Sequence, residues 1–253
     1  MSRLLVRRPS PRLADGELTH LGRTSVDAEL ALRQWEAYVD VFRTRGWEII
    51  EIAPADEQPD GVFVEDAVVV FGDLAVLCRA GALSRRGEAS SVRDAIAGTG
   101  LEVAEIVDPG TLDGGDVLKI GSTVYVGASS RTNADGIAQL TALLAPRGHE
   151  VIAVPVERVL HLKSGVTALP DGTVVGFEPL VDDPSLFPAF AAVPEEHGTA
   201  VVVLAPGEVL LSSDAPETAA AHAARGLTVV TTPISEFEKL EGCVTCLSVR
   251  VRD

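Results

Sequence analysis

The chain has 253 residues, of which 46% are hydrophobic, and a formal net charge of −16 from 37 acidic and 21 basic residues. This charge argues against nucleic acid and anionic membrane surfaces as partners and suits a cationic small molecule, although acidic proteins often use such charge only for solubility. The basic start of the chain has no apolar stretch, and no run reaches transmembrane length, so we expect neither a signal peptide nor a membrane span. Three cysteines, an odd number, argue against a disulfide framework and favour a reducing cytoplasm.

The predicted strands form a repeating pattern. Runs rich in β-branched residues stop at a proline, and these prolines recur at roughly 40–55 residues, a spacing typical of structural repeats. The prolines are Pro54, Pro109, Pro155, Pro194 and Pro233, of which the run before Pro194 is the weakest. Between them the sequence predicts four hairpins with glycine-containing turns, over 68–78, 117–126, 166–177 and 201–211.

A helix is predicted in most repeats. The amphipathic run Val26 to Arg45, ended by Gly46, is the strongest of them. Further helices are predicted over 90–97, 133–144 and 215–225. Asn133 and Asp214 are expected to act as N-caps, and Gly226 as a C-terminal stop.

The order of elements predicts a closed ring. The C-terminal run 245–251 can pair with the N-terminal residues 4–6 and so supply a fifth unit. We therefore expect one α/β domain over residues 1–253, with ββαβ repeats and pseudo-fivefold symmetry. The alternative is an ordinary doubly wound α/β sheet, which lacks the antiparallel pairs that hairpins require.

Reactive side chains follow the prolines. Glu65 and Asp66 precede an apolar run, where they either bind a cation or lie in a solvated loop. Asp113 begins an Asp-Gly-Gly-Asp segment that is either a simple turn or a strand end facing a ligand. His161 is one of five histidines, and a lone histidine is more often structural than catalytic.

Cys243 and Cys246 form a Cys-x-x-Cys pair near the C-terminus. The second cysteine or histidine pair of a zinc site is missing, and a redox pair would normally open a helix, whereas this pair leads into a β-like run. We therefore interpret Cys246, at the head of that strand, as a nucleophile and Cys243 as a spectator. No Gly-x-Ser-x-Gly elbow and no phosphate-binding loop is present. Together with His161 and the carboxylates, Cys246 would complete a nucleophile and acid/base set.

Several stretches resemble dimethylarginine dimethylaminohydrolases of the guanidino-modifying (pentein) superfamily. They are Phe63-Val-Glu-Asp66, Ser84-Arg-Arg86, Leu112-Asp-Gly-Gly-Asp-Val-Leu118, Ser130-Arg-Thr-Asn133, His161-Leu-Lys-Ser164 and Glu238-Lys-Leu-Glu-Gly-Cys-Val-Thr-Cys246. The resemblance implies a five-bladed α/β propeller, in agreement with the repeat. The related arginine deiminases carry an extra helical insertion, for which this chain has no room.

The resemblance also implies residue roles. Cys246 would be the nucleophile, His161 the general acid/base, and Asp113 the carboxylate that completes the site, where some relatives have glutamate. The substrate-binding residues implied are Asp66 with Glu65 nearby for the guanidinium, Asp60 for the α-amino group, Arg85 and Arg131 for the α-carboxylate, and Leu18 in a mobile lid.

The expected reaction converts Nω-methylated arginines to citrulline through a covalent adduct on Cys246. No metal or organic cofactor is expected, although a soft metal such as zinc could inhibit by capturing Cys246 and His161. Two alternatives stay open: another guanidine reaction, such as arginine deimination or amidino transfer, and a non-catalytic pentein-fold binding protein. The preference between mono- and dimethylated substrate is open, as is the oligomeric state, for which a homodimer is one alternative.

Overall fold

The computed structural model describes residues 1–252, and these form five three-stranded sheets. The first sheet contains β1 (Arg3–Val6), β2 (Glu48–Glu51) and, from the other end of the chain, β15 (Val249–Val251). The others are β3–β5 (Val68–Phe71, Leu74–Leu77, Glu102–Glu105), β6–β8 (Val117–Ile120, Thr123–Ala128, Glu150–Pro155), β9–β11 (Thr167–Ala168, Val174–Gly176, Phe190–Ala192) and β12–β14 (Val202–Ala205, Glu208–Ser212, Thr228–Thr232).

Every sheet has the same pairing pattern. Its middle strand pairs antiparallel with an inner strand and parallel with an outer strand. The inner strands are β15, β3, β6, β9 and β12. The antiparallel pair β1–β15, with Leu5 opposite Val249, joins the two ends of the chain in one sheet. The predicted five-membered ββαβ arrangement is confirmed, and the doubly wound alternative is wrong.

The helices mostly follow the predicted ranges. They are α1 (Ala28–Arg43), α2 (Ala89–Ala97), α3 (Ala134–Leu144), α4 (Leu162–Gly165), α5 (Pro216–Ala224) and α6 (Ser235–Glu238). Asn133 caps α3 as predicted, because its side chain accepts the Gly136 N–H. The prediction for Asp214 is wrong: α5 begins after Ala215, and the carboxylate of Glu195, from the preceding repeat, accepts the N–H of Thr218.

The core consists of five apolar clusters, each between two neighbouring sheets. Successive strand residues face opposite neighbours, as the two-residue period of a strand requires. Leu4 thus packs towards the last sheet and Leu5 towards the second. Both faces of β3 and β4 are buried, which explains their continuous apolar runs, whereas the outer strands such as β2 and β5 are largely exposed. No helix within residues 1–252 is long and apolar enough to cross a membrane.

Candidate active site

The predicted catalytic residues, with Glu65 and Asp66, lie in the segments that lead into the inner strands, whereas Arg85 and Arg131 follow the middle strands β4 and β7. Residues 64–66 precede β3, residues 113–116 precede β6, His161 precedes β9, and Cys246 precedes β15. Because the inner strands surround one axis, these segments meet at the same end of the ring. Six predicted residues line one cavity there: Asp60, Asp66, Arg85, Arg131, His161 and Cys246.

His161 is held between two carboxylates. Its Nε2 lies 3.0 Å from Asp113 Oδ2, and its Nδ1 lies 3.7 Å from Asp66 Oδ1. All three side chains are buried. Burial by itself would lower the pKa of His161, but Asp66, together with Asp113 and Asp116, raises it to about 9. The ring is therefore an imidazolium at neutral pH and is able to donate a proton.

Asp116 is a site residue that sequence reasoning missed. Its carboxylate accepts hydrogen bonds from Leu162 N–H and from the hydroxyls of Ser129 and Thr132. It therefore fixes the start of α4, directly after His161. Its position in the Asp-Gly-Gly-Asp segment, two residues after the first glycine, was the available signal.

The two glycines of this segment allow close approach of the backbone. A Cβ on Gly115 would lie 2.6 Å from His161 Nδ1 and 2.7 Å from Asp66 Oδ1, and one on Gly114 would lie 2.0 Å from the Glu65 carbonyl oxygen. Neither contact is tolerable for a side-chain carbon. The segment is therefore shaped around His161 and Asp66 and is more than a simple turn.

Cys246 does not begin the last strand as expected. It lies in the turn 244–247, and β15 starts only at Val249. Its Sγ is 3.2 Å from Cys243 Sγ, so Cys243 is a direct neighbour of the predicted nucleophile. The hydrogen bond with Cys243, burial, and the nearby charges of Glu65 and Asp66 raise the pKa of Cys246. A bound cation would oppose the effect of those carboxylates.

Arg85 is buried and bound to carboxylates of the protein. Its guanidinium contacts Asp66 Oδ2 at 2.6 Å and both carboxylate oxygens of Glu88 at 2.9 Å. In this arrangement Arg85 positions Asp66. Its expected role as a ligand of the substrate carboxylate requires it to exchange partners and stays a prediction.

The lid segment, residues 14–23, covers the cavity. Glu17 donates its backbone N–H to Asp60 Oδ2 at 3.1 Å, and its carboxylate lies 3.2 Å from Arg131. Leu18 is half-buried and packs against the core cluster beside α1. The cavity beneath has a volume of only about 20 Å³, which is too small for a molecule of the size of arginine while residues 14–23 keep this position.

The side chain of Glu241 binds the backbone of the lid. Its carboxylate accepts the backbone N–H groups of Thr19, His20 and Leu21 at 2.6–3.2 Å. Its own backbone has a φ of 59°, a strained conformation for a residue other than glycine, which persists only where the surroundings enforce it. Sequence reasoning missed this contact, because it joins segments about 220 residues apart.

Glu65 is directed away from this cavity. Its carboxylate contacts Lys163 at 2.6 Å, Arg250 at 3.0 Å and the Thr245 hydroxyl at 2.8 Å, and it lines a different cavity on the ring axis. Its expected place near the guanidinium stays a prediction. The observed contacts instead attach the turn of Cys246 to the segment that carries Asp66.

One set of side chains could also hold a cation. Asp66, Asp113 and His161 each offer a ligand atom, and these atoms lie within 4.8 Å of one another. A histidine and two carboxylates suit zinc or a similar ion. The same atoms form the hydrogen-bonded arrangement of His161, so a metal ion would replace the proton that the ring carries.

Comparisons with known proteins are consistent with one another. A family model described as N,N dimethylarginine dimethylhydrolase, eukaryotic, matches residues 21–166. An N(G),N(G)-dimethylarginine dimethylaminohydrolase of Streptomyces coelicolor is 59% identical over 249 residues, which cover 98% of this chain and 96% of that protein. One of Pseudomonas aeruginosa is 34% identical over 252 residues, 98% of each chain.

A crystal structure agrees with the fold. A cysteine-to-serine variant of the Pseudomonas aeruginosa protein in complex with citrulline has a TM-score of 0.91 and 32% identity, covering 98% of each chain. The ring of five ββαβ units places this chain among the penteins, the class of guanidino-group-modifying proteins. Within that class, the chain belongs to the dimethylarginine dimethylaminohydrolase family.

Proposed function

We propose that this protein hydrolyses Nω,Nω-dimethyl-L-arginine and Nω-methyl-L-arginine to L-citrulline, with release of dimethylamine or methylamine. It is a hydrolase of C–N bonds in linear amidines. The observation that carries the proposal is the buried His161, bound to Asp113 and Asp66 in the cavity that Cys246 also lines. The identity of the substrate is supported by the Streptomyces coelicolor relative, which matches over nearly the whole chain.

Binding of the substrate prepares the nucleophile. The planar guanidinium donates hydrogen bonds to Asp66, in the fork geometry that Arg–carboxylate pairs favour. The added positive charge offsets the carboxylates that raise the pKa of Cys246, so the thiolate becomes easier to form. The substrate thus promotes ionisation of the group that attacks it.

The chemical steps use Cys246 and His161. The thiolate adds to the guanidinium carbon and gives a tetrahedral adduct, and the imidazolium of His161 donates its proton to the departing amine. The C–N bond breaks and leaves a thiouronium-type intermediate on Cys246. Neutral His161 then takes a proton from water, which attacks the same carbon and releases citrulline and the thiolate. Asp113 holds the ring and stabilises its charged form.

The amino-acid end of the substrate is oriented by charge. Asp60 binds the α-amino group, and Arg131, with Arg85, binds the α-carboxylate. Support comes from the lid, in which the N–H of Glu17 contacts Asp60 and its carboxylate contacts Arg131. The substrate presents the same two kinds of group to Asp60 and Arg131, and Leu18 then covers it as the lid closes again.

The test is citrulline release by the purified protein from Nω,Nω-dimethyl-L-arginine, with arginine as the competing substrate. Cys246→Ser removes the nucleophile, and Cys78→Ser is the matched control, since Cys78 is buried outside the cavity. We expect citrulline and dimethylamine from the wild type and from Cys78→Ser, with loss of turnover in Cys246→Ser. A parallel assay of the monomethylated substrate gives the preference between the two.

Other outcomes decide between the alternatives. Turnover of arginine alone would assign arginine deimination, and transfer of the amidino group to an added amine would assign amidino transfer. If both the wild type and Cys246→Ser bind the methylated substrate and neither turns it over, the protein is a binding protein and not an enzyme.

We further propose that residues 1–253 act as one catalytic domain in the cytoplasm. The shared cavity supports a single domain, and the three free thiols, one of them the nucleophile, suit a reducing compartment. A homodimer stays a prediction that light scattering tests. The acidic charge argues against nucleic acid as a partner.

A further inference from the structure

The ring encloses a second cavity on its axis. Its volume is about 510 Å³, and the inner strand of every sheet contributes to its wall. It shares no lining residue with the cavity of His161 and Cys246. This axial cavity is therefore a separate space, and the reaction proposed above leaves it unused.

The charges of the axial cavity have the opposite sign to those of the protein. Its wall carries four basic side chains, Lys119, Lys163, Arg250 and Arg252, with Glu65 as the one carboxylate among the lining residues. The whole chain carries a net charge of −16. Glu65 neutralises part of this charge through Lys163 and Arg250, and the other two cations are in excess.

Lys119 and Arg252 contact backbone and aromatic groups. Lys119 donates to the Val70 carbonyl oxygen at 2.6 Å and lies over the ring of Phe71, and Arg252 donates to the Val203 carbonyl oxygen. Desolvation by the surrounding cavity wall, with the neighbouring Lys163 and Arg250, lowers the pKa of Lys119 to about 7, although the side chain keeps contact with solvent. Burial and Arg250 lower the pKa of Arg252 as well. Lys119 is therefore only partly charged near pH 7, and a bound anion would favour its protonated form and offset the repulsion between these side chains.

We propose that the axial cavity binds a small oxyanion of the phosphate class between Lys119, Arg250 and Arg252. Charge-assisted hydrogen bonds from a lysine and two arginines are the groups that proteins use for such ligands. The cavity is large enough for a phosphate with its water, or for a phosphate carried on a larger molecule.

The test is a titration of the purified protein with inorganic phosphate at constant ionic strength, followed by calorimetry and by the melting temperature. For the wild type we expect saturable binding and a rise in melting temperature. For Lys119→Gln and for Arg252→Gln we expect an affinity for phosphate at least tenfold lower and a smaller rise in melting temperature. Arg33→Gln, which removes an exposed charge from α1, is the control and should bind as the wild type does. Adenosine monophosphate as a second probe distinguishes free from carried phosphate.

Absence of saturable phosphate binding would overturn the proposal, and so would equal binding by all variants, which would indicate general charge screening. The two substitutions are made in separate proteins. If one variant fails to fold, the other is sufficient for the test. The outcome is independent of turnover, because the two substituted residues, Lys119 and Arg252, do not line the cavity of His161 and Cys246.

A different observation concerns the two neighbouring cysteines. Cys243 Sγ and Cys246 Sγ are 3.2 Å apart, and the Cys246 N–H bonds to the Cys243 carbonyl at 3.1 Å, which closes a turn. Such a turn brings the two Cα atoms within about 7 Å, which suits a disulfide. Cys243 also lines a neighbouring cavity of about 440 Å³, through which small thiols and oxidants can reach the pair.

We infer that Cys243 and Cys246 join in a reversible disulfide when either sulfur is oxidised, so that Cys243 protects the predicted nucleophile from further oxidation. Hydrogen peroxide oxidises one sulfur to a sulfenic acid, its O–O bond breaks, and one water leaves. The second thiol attacks that sulfur, the S–S bond forms, and the hydroxyl leaves as a second water with the thiol proton. Each sulfur loses one electron, and peroxide is reduced. Added thiol then restores both cysteines.

The test uses the tryptic peptide between Lys239 and Arg250, which contains both cysteines. After a stoichiometric amount of peroxide, we expect this peptide to lose about 2 Da in the wild type, as a disulfide requires, and to recover with dithiothreitol. Cys78→Ser should behave identically. In Cys243→Ser treated with an excess of peroxide, Cys246 should instead gain two or three oxygen atoms irreversibly, because each oxygen consumes one peroxide.

Oxygen gain without the 2 Da loss in the wild type would overturn the inference, whether or not the variants fold. This inference involves Cys246, the nucleophile of the proposed function, but its test measures a peptide mass and not turnover. A protein that forms the disulfide and has no hydrolase activity, or the reverse, would therefore separate the two proposals.

Discussion

His161 is the residue whose surroundings most clearly define its chemistry. Its pKa near 9 results from Asp66 and Asp113 acting against burial, and the value exceeds the ordinary value of about 6.5. The ring is thus protonated in the folded protein over the whole neutral range. The stability that these contacts give is fully present below about pH 6.5 and is lost as the pH rises through 9.

The first prediction concerns how the rate of turnover depends on pH through the protonation of His161. We expect kcat for the methylated substrate to fall as the pH rises through the pKa of His161, because the enzyme–substrate complex loses its general acid while the bound cation keeps Cys246 ionised. Asp113→Asn removes one of the two carboxylates and should shift this fall to lower pH. The measurement is a pH profile of kcat, with Asp94→Asn on the exposed face of α2 as the control. An unchanged profile for Asp113→Asn would contradict the assignment.

The second prediction concerns Gly115. A methyl group there would lie 2.6 Å from the His161 ring, and the ring or Asp66 must move to make room. Because a displacement of about 1 Å can cost on the order of 10²-fold in rate, we expect a loss of that size in kcat/KM for Gly115→Ala. Gly98→Ala at the end of α2, where the nearest atom is 3.5 Å away, should keep the activity. Equal activity of the two variants would refute this account.

At the scale of elements, the lid is held mainly by polar contacts that are exposed or only partly buried. Its backbone is bound to the Glu241 carboxylate, and its Glu17 to Arg131 and to Ser84. Segments with few buried contacts open at low cost in free energy. We therefore expect the lid to move aside for the substrate while the five sheets stay in place.

The third prediction tests the role of Glu241. Glu241→Gln loses the charge that strengthens three hydrogen bonds, so we expect KM to rise about tenfold with little change in kcat, a loss of about 1.4 kcal/mol in binding. Trypsin should also cleave faster after Arg23. Glu217→Gln, on the exposed side of α5, is the matched control. The same KM and cleavage rate in both variants would show that the lid is held by other contacts.

At the scale of the whole molecule, the ring depends on the sheet that joins the chain ends. Leu5 in β1 is fully buried, pairs with Val249 of β15 and packs against Val68 and Val70 of the second sheet. Because each apolar cluster lies between two sheets, loss of one weakens the closed arrangement. The stability of the site therefore depends on residues at both ends of the sequence.

The fourth prediction measures this closure. Leu5→Ala should lower the free energy of unfolding by about 2–5 kcal/mol, the usual cost of a large-to-small change in a core. Leu186→Ala, at an exposed leucine, should change it by less than about 0.5 kcal/mol. Urea unfolding followed by circular dichroism gives both values. A small effect of Leu5→Ala would mean that closure through β1 contributes little.

The sequence by itself determined the features that depend on neighbouring residues. The Gly72 and Gly121 turns, the Asn133 cap and the two-residue period of the strands are local, so the repeat and its five members could be predicted. The motifs that resemble a known family then supplied the list of expected site residues. Local patterns failed where a distant group intervened, as when Glu195 took the place expected of Asp214 at α5.

Only the tertiary structure decided how the site is connected. The contact of His161 with Asp113 spans 48 residues, that of Glu241 with the lid more than 200, and no spacing in the chain encodes either. The direction of Glu65 towards the axis, and the closeness of Cys243 to Cys246, likewise depend on how the connecting segments turn at the end of the ring. The physical reason is that turn and strand preferences act over a few residues, whereas the ring geometry sets which segments meet.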